Sequence, residues 1–216
     1  MKKFLSALAV MILMSTTTYA AQSEIILPTV GAKSSEITVT DALQNRMSSR
    51  NFVDKDLTSA QIAKILWAAN GINRADGKRV NPAALGVYSV EVYAVTREGI
   101  YLYDAANHRL KLIAEGDYRA VTTTGQSFVT KAAVNLIYVE TPDAWTNARH
   151  IPPREAQISF ANITAGAMVQ SVALMAQTEG LGNCVRGSIN RDEFRKVANL
   201  AENKTILLAQ SVGVIN

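Results

Sequence analysis

Arg46 and Arg50 stand four residues apart in the segment RMSSR, with Ser48 and Ser49 between them and Phe52 just beyond. Each guanidinium is a planar fork of donors, and two of them at this spacing can clamp a phosphate. The serine hydroxyls can add hydrogen bonds. If a helix ends just before the segment, a bound anion gains nothing from that helix's C-terminal dipole, so the arginines must carry the attraction. The competing reading is a solvated turn with surface arginines. Composition alone does not separate the two, because short motifs often match by chance.

Other reactive side chains are sparse. Cys184 is the only cysteine, which excludes an intramolecular disulfide. The two histidines, His108 and His150, are far apart, so no thiolate or imidazole metal site is expected. Cys184 reads either as a reactive thiol or as a small buried residue lining its segment. His108 falls in a turn and reads as solvated. Phe52 and Trp67 read as core. Trp145 lies in an irregular stretch, TPDAWTNARHIPP, where it could stack on a substrate or simply pack.

The elements that must position these groups follow from hydrophobic spacing. Residues 22–37 read as an extended lead-in, and Thr40 as the cap of a short helix to about Met47. In LTSAQIAKILWAANG (57–71), Thr58 and Gln61 occupy capping-box positions, Ile62, Ile65, Leu66 and Ala69 share one helical face, and Gly71 suits a left-handed stop. Residues 71–86 are a loop rich in Gly, Asn and Asp. VYSVEVYAV (87–95) alternates as a strand, 99–113 reads as a hairpin turning near Asp104–His108, and 132–141 is a buried strand. A short helix is expected over Asp117–Phe128. Residues 154–180 form one long helix whose apolar and small residues cover most of its circumference, as in a central core helix. Whether it also lines a subunit interface is not decided by the pattern. LGNCVRGSIN (181–190) reads as a loop, Asn190 as the cap of a helix to about Ala198, and 205–214 as a closing strand. The mixture gives an α+β fold with a central, mostly antiparallel sheet.

The 216 residues suffice for one domain with a real core, and a hydrophobic fraction of 48% excludes a disordered chain. Lys2 and Lys3 precede the apolar run FLSALAVMILM, and STTTYA then offers small residues for cleavage after Ala20. That order predicts a secretory signal over 1–20, a lead-in over 21–37 and one domain over 38–216. The run is shorter than the roughly 20 residues of a membrane span. The expectation is export, to a periplasm or outside, with no span once the signal is removed. Formal charge is +4, and removal of Lys2 and Lys3 leaves +2. With no block of charge, nucleic acid is not an expected partner.

Read together, three stretches carry a resemblance. RMSSRNF (46–52), ILWAANGINR running into NPAALGVYSVEVY (65–93), and EGLGNCVRGSI (179–189) come in the order and spacing of the nitroreductase family of flavin enzymes. The chain resembles most closely the subgroup that includes the oxazole and thiazole dehydrogenases, where the proline stretch reads Pro-Ser-Ala-Gly. The resemblance implies a three-layer α+β fold, a homodimer, and FMN bound in clefts between subunits. It implies hydride transfer through flavin N5 in a two-step, ping-pong cycle, from an unknown electron donor to a small nitro-, quinone- or similarly electron-poor substrate. Nicotinamide donors are expected to be scarce outside the cytoplasm, which leaves the donor open.

The same resemblance assigns residues. Arg46, Met47, Ser48 and Arg50 would hold the flavin phosphate and ribityl chain. Asn81, Pro82, Ala83 and Ala84 would pack along the ring, often from the partner subunit. Gly182, Asn183, Arg186 and Gly187 would lie over it, with the backbone N–H near Arg186 or Gly187 facing N5 as a positioned dipole. The Arg186 side chain would anchor FMN or face solvent. Two features depart from the family pattern: Ala83 stands where a serine is usual, and the chain ends at Asn216, where many members continue with another basic residue. A non-catalytic flavin- or ligand-binding module on the same fold is the competing expectation.

Overall fold

The computed structural model describes residues 21–31 and 36–216. The expected signal segment lies outside the described residues. Seven strands form one sheet: β1 (Glu24–Ile26), β2 (Val90–Val95), β3 (Gly99–Asp104), β4 (Arg109–Glu115), β5 (Val134–Glu140), β6 (Leu181–Arg186) and β7 (Thr205–Val214). Their order is β1-β4-β3-β2-β5-β7-β6, and every pairing is antiparallel. Four α-helices accompany them: α1 (Val39–Asn45), α2 (Ser59–Asn70), α3 (Arg154–Thr178) and α4 (Arg191–Val197). This is the α+β architecture expected from the sequence.

The layers follow from strand alternation, which sends successive side chains to opposite faces. Val92, Ala94, Leu136 and Tyr138 point into a core shared with α2 and α3. Their neighbours Tyr93, Val95, Ile137 and Val139 point into a second core with Phe194 of α4. All seven residues of β5 are therefore buried. By length and composition α3 could cross a membrane. It buries Ala161, Ala165 and Val172 against α2, β6 and β7, as a core helix does. Arg154, at its first turn, grips the fully buried Glu140 carboxylate and also donates to Asn203 O at 2.9 Å, tying α3 to the end of β5.

Several local expectations are corrected. Thr38, not Thr40, caps α1, because Asp41 stands at its third helical position and completes a reciprocal capping box. Gly71 does end α2, but in an extended conformation (φ −71°); it is needed because a Cβ there would overlap the Trp67 indole. The helix expected over Asp117–Phe128 is two short 3-10 turns, Arg119–Thr122 and Ser127–Thr130, separated at Gly125 with φ 136°. His108 is not solvated: its ring bonds to Tyr103 Oη at 2.8 Å and Pro28 O at 3.0 Å, fastening the lead-in to the β3–β4 hairpin. Residues 181–186, read as loop, are β6, paired along its whole length with β7.

Candidate functional site

The RMSSR segment begins where α1 stops. Arg46 donates its backbone N–H to Ala42 O and turns the chain extended. The segment then lies along the outer edge of β6. Ser49 N–H donates to Asn183 O at 2.8 Å, and Ser48 and Asn183 form a parallel bridge. Three residues after Ser49, Phe52 bridges Ile215, and Val53 N–H donates to Val214 O at 2.9 Å. Glycines permit this approach. A Cβ on Gly182 would overlap Ile215 and stand 2.9 Å from Ser49 Cβ; one on Gly213 would stand 3.1 Å from Phe52 Cδ1. The fold thus joins the first and third of the sequence stretches.

Arg50 is exposed, with its guanidinium 5.9 Å over the Phe128 ring. It lines an open cavity of about 360 Å³ together with Ser127, Lys131 and Asn216. Neither Arg50 nor Lys131 pairs with a carboxylate among the described residues, and the same holds for Arg46. Lys131 was missed by sequence reasoning. Its only signal is a cation just before a buried strand, and only the turn at Ser127–Thr130 sets it beside Arg50. Arg46 is half-buried, Met47 and Ser48 are exposed, and none of the three lines this cavity.

Two candidates prove to be interior clasps. Arg186 is buried, and its guanidinium donates to Thr122 O at 2.7 Å, Ser211 Oγ at 3.0 Å, and Asn135 Oδ1 and Ser188 O at 3.1 Å. Burial pushes it down to about 10, so it is charged at neutral pH. Its side chain neither anchors a cofactor nor faces solvent, because neutral oxygens from several elements already use its donors. Asn81 is buried too. It donates to Ala68 O at 2.7 Å and Ala69 O at 2.8 Å and accepts from Ser171 Oγ at 2.6 Å, locking the last turn of α2 to α3.

The remaining candidates are placed as follows. Asn183 is buried with its side chain toward Gln210, at 3.3 Å, and its carbonyl toward Ser49. In an antiparallel ladder successive residues point their polar groups alternately into and out of the pair. By that alternation Val185 and Gly187 aim outward while Arg186 is engaged with β7. Gly187, just past the end of β6, is exposed, and its N–H donates to no acceptor among the described residues. Cys184 is buried, in keeping with the small-residue reading. Pro82 is exposed, and Ala83 and Ala84 are half-buried. Leu85, which follows them, holds a left-handed φ of 55°. Among the described residues, no group of three or more His, Cys, Asp or Glu side chains could hold a metal ion.

An apolar stripe remains uncovered beside this region. Val39 and Leu43, about one turn apart on α1, and Met47, just past its end, are 70%, 54% and 65% exposed; Ile163 on α3 is 70% exposed. Trp145 is buried and packs on Phe160, with ring centroids 6.3 Å apart.

Comparison with known proteins adds to this geometry. The sequence profile of the nitroreductase family matches residues 43–214. A nitroreductase-family protein of Methanocaldococcus jannaschii is 27% identical over 194 residues, covering 86% of this chain and 94% of the relative. The crystal structure of a nitroreductase-family protein from Ralstonia eutropha superposes with a TM-score of 0.82 at 31% identity, covering 90% of each chain. At the level of fold alone, the crystal structure of a Desulfovibrio desulfuricans protein in complex with FMN gives a TM-score of 0.58 at 19% identity, covering 81% of this chain and 84% of that one.

Proposed function

The chain belongs to the nitroreductase family, and from that premise we propose that it is an exported, homodimeric, FMN-dependent oxidoreductase that passes a hydride to a small nitro-, quinone- or similarly electron-poor acceptor. The observation that carries this reading is the seating of RMSSR on the edge of β6. Among the described residues it leaves Arg50 and Lys131 without an ion-pair partner, beside a strand end where the Gly187 N–H donates to no acceptor.

The donor set fits FMN. Arg50, Lys131 and the Ser127 hydroxyl can hold a phosphate monoester, whose charge at neutral pH is about −1.5 to −2. Arg46, at the end of α1, adds a second unpaired guanidinium. The Gly187 N–H is a fixed dipole suited to charge developing at a ring nitrogen. Bound FMN would supply hydride acceptance from a donor and hydride donation to the acceptor, one substrate after the other. Pro82, Ala83 and Ala84 would pack along its ring from the partner subunit, without the hydroxyl that a serine at Ala83 would give. The exposed Val39, Leu43, Met47 and Ile163 support the homodimer, since exposed apolar side chains of this size favour burial against a second copy. The Lys2–Ala20 order supports export.

Titration of the apoprotein with FMN tests the assignment. Arg46→Ala and Arg50→Ala should each weaken binding by at least ~1.5 kcal/mol, the value of a hydrogen bond to a charged group. Unchanged affinity in both variants would reject it.

A further inference from the structure

The connection between α2 and β2 builds a basin whose basic side the reading above does not use. Residues 72–79 fold as a small hairpin: Ile72 bridges Arg79, Asn73 N–H donates to Lys78 O at 3.2 Å, and Gly77 turns the chain at φ 77°. Val80 N–H donates to Gly71 O at 2.9 Å and fixes the hairpin's base to the end of α2. Arg74, Lys78 and Arg79 surround an open cavity of about 540 Å³ whose other wall is Pro82, Ala83 and Tyr88. Asp76 is the only carboxylate in that lining, and it pairs with Lys78 at 3.0 Å. Three cations against one carboxylate leave a surplus of two positive charges.

Arg79 is the best-placed of them. Its guanidinium lies 4.6 Å over the Tyr88 ring, and its backbone N–H donates to the Tyr88 hydroxyl at 3.1 Å, so both ends of the residue are held by one side chain. None of its guanidinium donors meets an acceptor among the described residues. The group is half-buried, and desolvation lowers its basicity while leaving it charged. Arg74 stands beside it, donating to Asn73 Oδ1 at 2.9 Å and to Arg79 O at 3.4 Å, with no carboxylate partner. A flattened, partly dehydrated guanidinium with unused donors matches the two oxygens of a carboxylate or phosphate.

We propose that this basin binds the acidic group of the substrate, a carboxylate or phosphate on a small aromatic molecule, with Arg79 as the bidentate contact and Arg74 and Lys78 as supporting charges. The inference rests on the reading of Pro82–Ala84 as the wall beside the flavin ring, and it deepens that reading by giving the substrate an anionic end.

Benzoate binding by calorimetry, with flavin content read separately from absorbance, tests it. Arg79→Gln should weaken benzoate at least tenfold, Arg79→Lys should retain part of the affinity, and both should keep the wild-type FMN content. When protein reduced with one equivalent of dithionite is reoxidised anaerobically in a single turnover, the half-saturating concentration of 4-nitrobenzoate should rise at least tenfold in Arg79→Gln, while that of 4-nitrobenzyl alcohol stays unchanged. If Arg79→Gln misfolds, Arg74→Gln must weaken benzoate in its place. Failure of the wild type to bind benzoate, equal loss for charged and neutral probes, or loss of FMN from Arg79→Gln would each overturn the proposal. A protein that takes up no FMN refutes the flavin reading alone, because benzoate calorimetry still decides the oxyanion site.

Discussion

Replacing Gly182 with alanine tests the contact on which the proposed site depends. The new methyl would overlap Ile215 Cγ2 and stand 2.9 Å from Ser49 Cβ and 3.3 Å from Phe52 Cε1. These neighbours differ in how far they can yield. Ile215 is 37% exposed, so its side chain can swing aside cheaply. Ser49 cannot, because its Cβ sits on a backbone whose N–H is committed to Asn183 O. Phe52 is buried and already pressed against Gly213. Relief therefore requires residues 48–52 to lift from the edge of β6. Overpacking of this kind costs about 1–3 kcal/mol. Breaking the Ser49–Asn183 bond instead costs roughly 1 kcal/mol, and the two are alternatives rather than a sum. Urea unfolding of Gly182→Ala should show a loss of about 1–3 kcal/mol. Gly31→Ala, with no atom within 4 Å of its Cβ position, should stay within ~0.5 kcal/mol of the parent. FMN affinity should fall in Gly182→Ala alone, because the displaced segment carries Arg50. A wild-type midpoint with wild-type FMN affinity would refute the seating of RMSSR on β6.

Leu85→Gly should stabilise the protein. Leu85 is 66% exposed with φ 55° and ψ 16°, a left-handed conformation costing an L-residue roughly 1–2 kcal/mol. Glycine's greater unfolded entropy returns about 0.5–1 kcal/mol of that, so thermal unfolding should report a small net gain, and a lower Tm would show that the exposed leucine is packed in the assembled protein. Asp104 supplies a pH test. Burial alone would raise its carboxyl, but hydrogen bonds from Asn107, Lys111 and Arg109 outweigh burial and hold it well below the usual range. Its stabilising contribution is complete above the unfolded value of about 3.9 and is lost as pH falls below that toward the folded value. Asp104→Asn should therefore be less stable than wild type at pH 7, with the gap narrowing below about pH 4; a gap that does not change between pH 7 and pH 3 in urea unfolding would contradict this.

What the sequence disclosed was what neighbours in the chain decide. The Thr58–Gln61 box, the alternation through 90–95 and the all-round apolar surface of α3 are local patterns, and each became the element it suggested. The α1 cap was within reach as well, since Asp41 lies three residues after Thr38. The misreadings depend on distant partners. LGNCVRG has the composition of a loop, and it is a strand because β7 pairs with it along one side and residues 48–49 touch the other. Arg186 read as either a cofactor anchor or a solvent-facing cation. Its cage comes from Thr122, Asn135 and Ser211, and no spacing within 181–190 could reveal that. Asn81 stands beside the proline that marks the second stretch, yet its amide is used up by α2 and α3. Lys131 carried no motif and gained meaning only beside Arg50.

The arrangement of the candidate site follows from how the fold treats its outermost strand. An uncovered edge invites pairing with other chains, and proteins blunt such edges with short, irregular or charged cover. Here RMSSR is that cover. It reaches Asn183 and goes no further, because Ser48 and Ser49 make the contact and the chain then bends toward Val53 and the end of β7. The edge is consequently capped at Asn183, and the strand runs on uncovered by this segment to its end at Arg186, with Gly187 just beyond. Cations without counter-ions stand near the capped part, and an unspent N–H marks the open part. A ligand with an anionic tail and a flat, electron-accepting head, joined by a flexible chain, meets both requirements. Arg186 adds nothing for such a ligand, since its guanidinium is enclosed by Thr122, Asn135, Ser188 and Ser211. On the proposed reading, attraction for an anion at this edge falls to Arg46, Arg50 and Lys131, and neutralising all three should leave the fold intact while abolishing affinity for the phosphate.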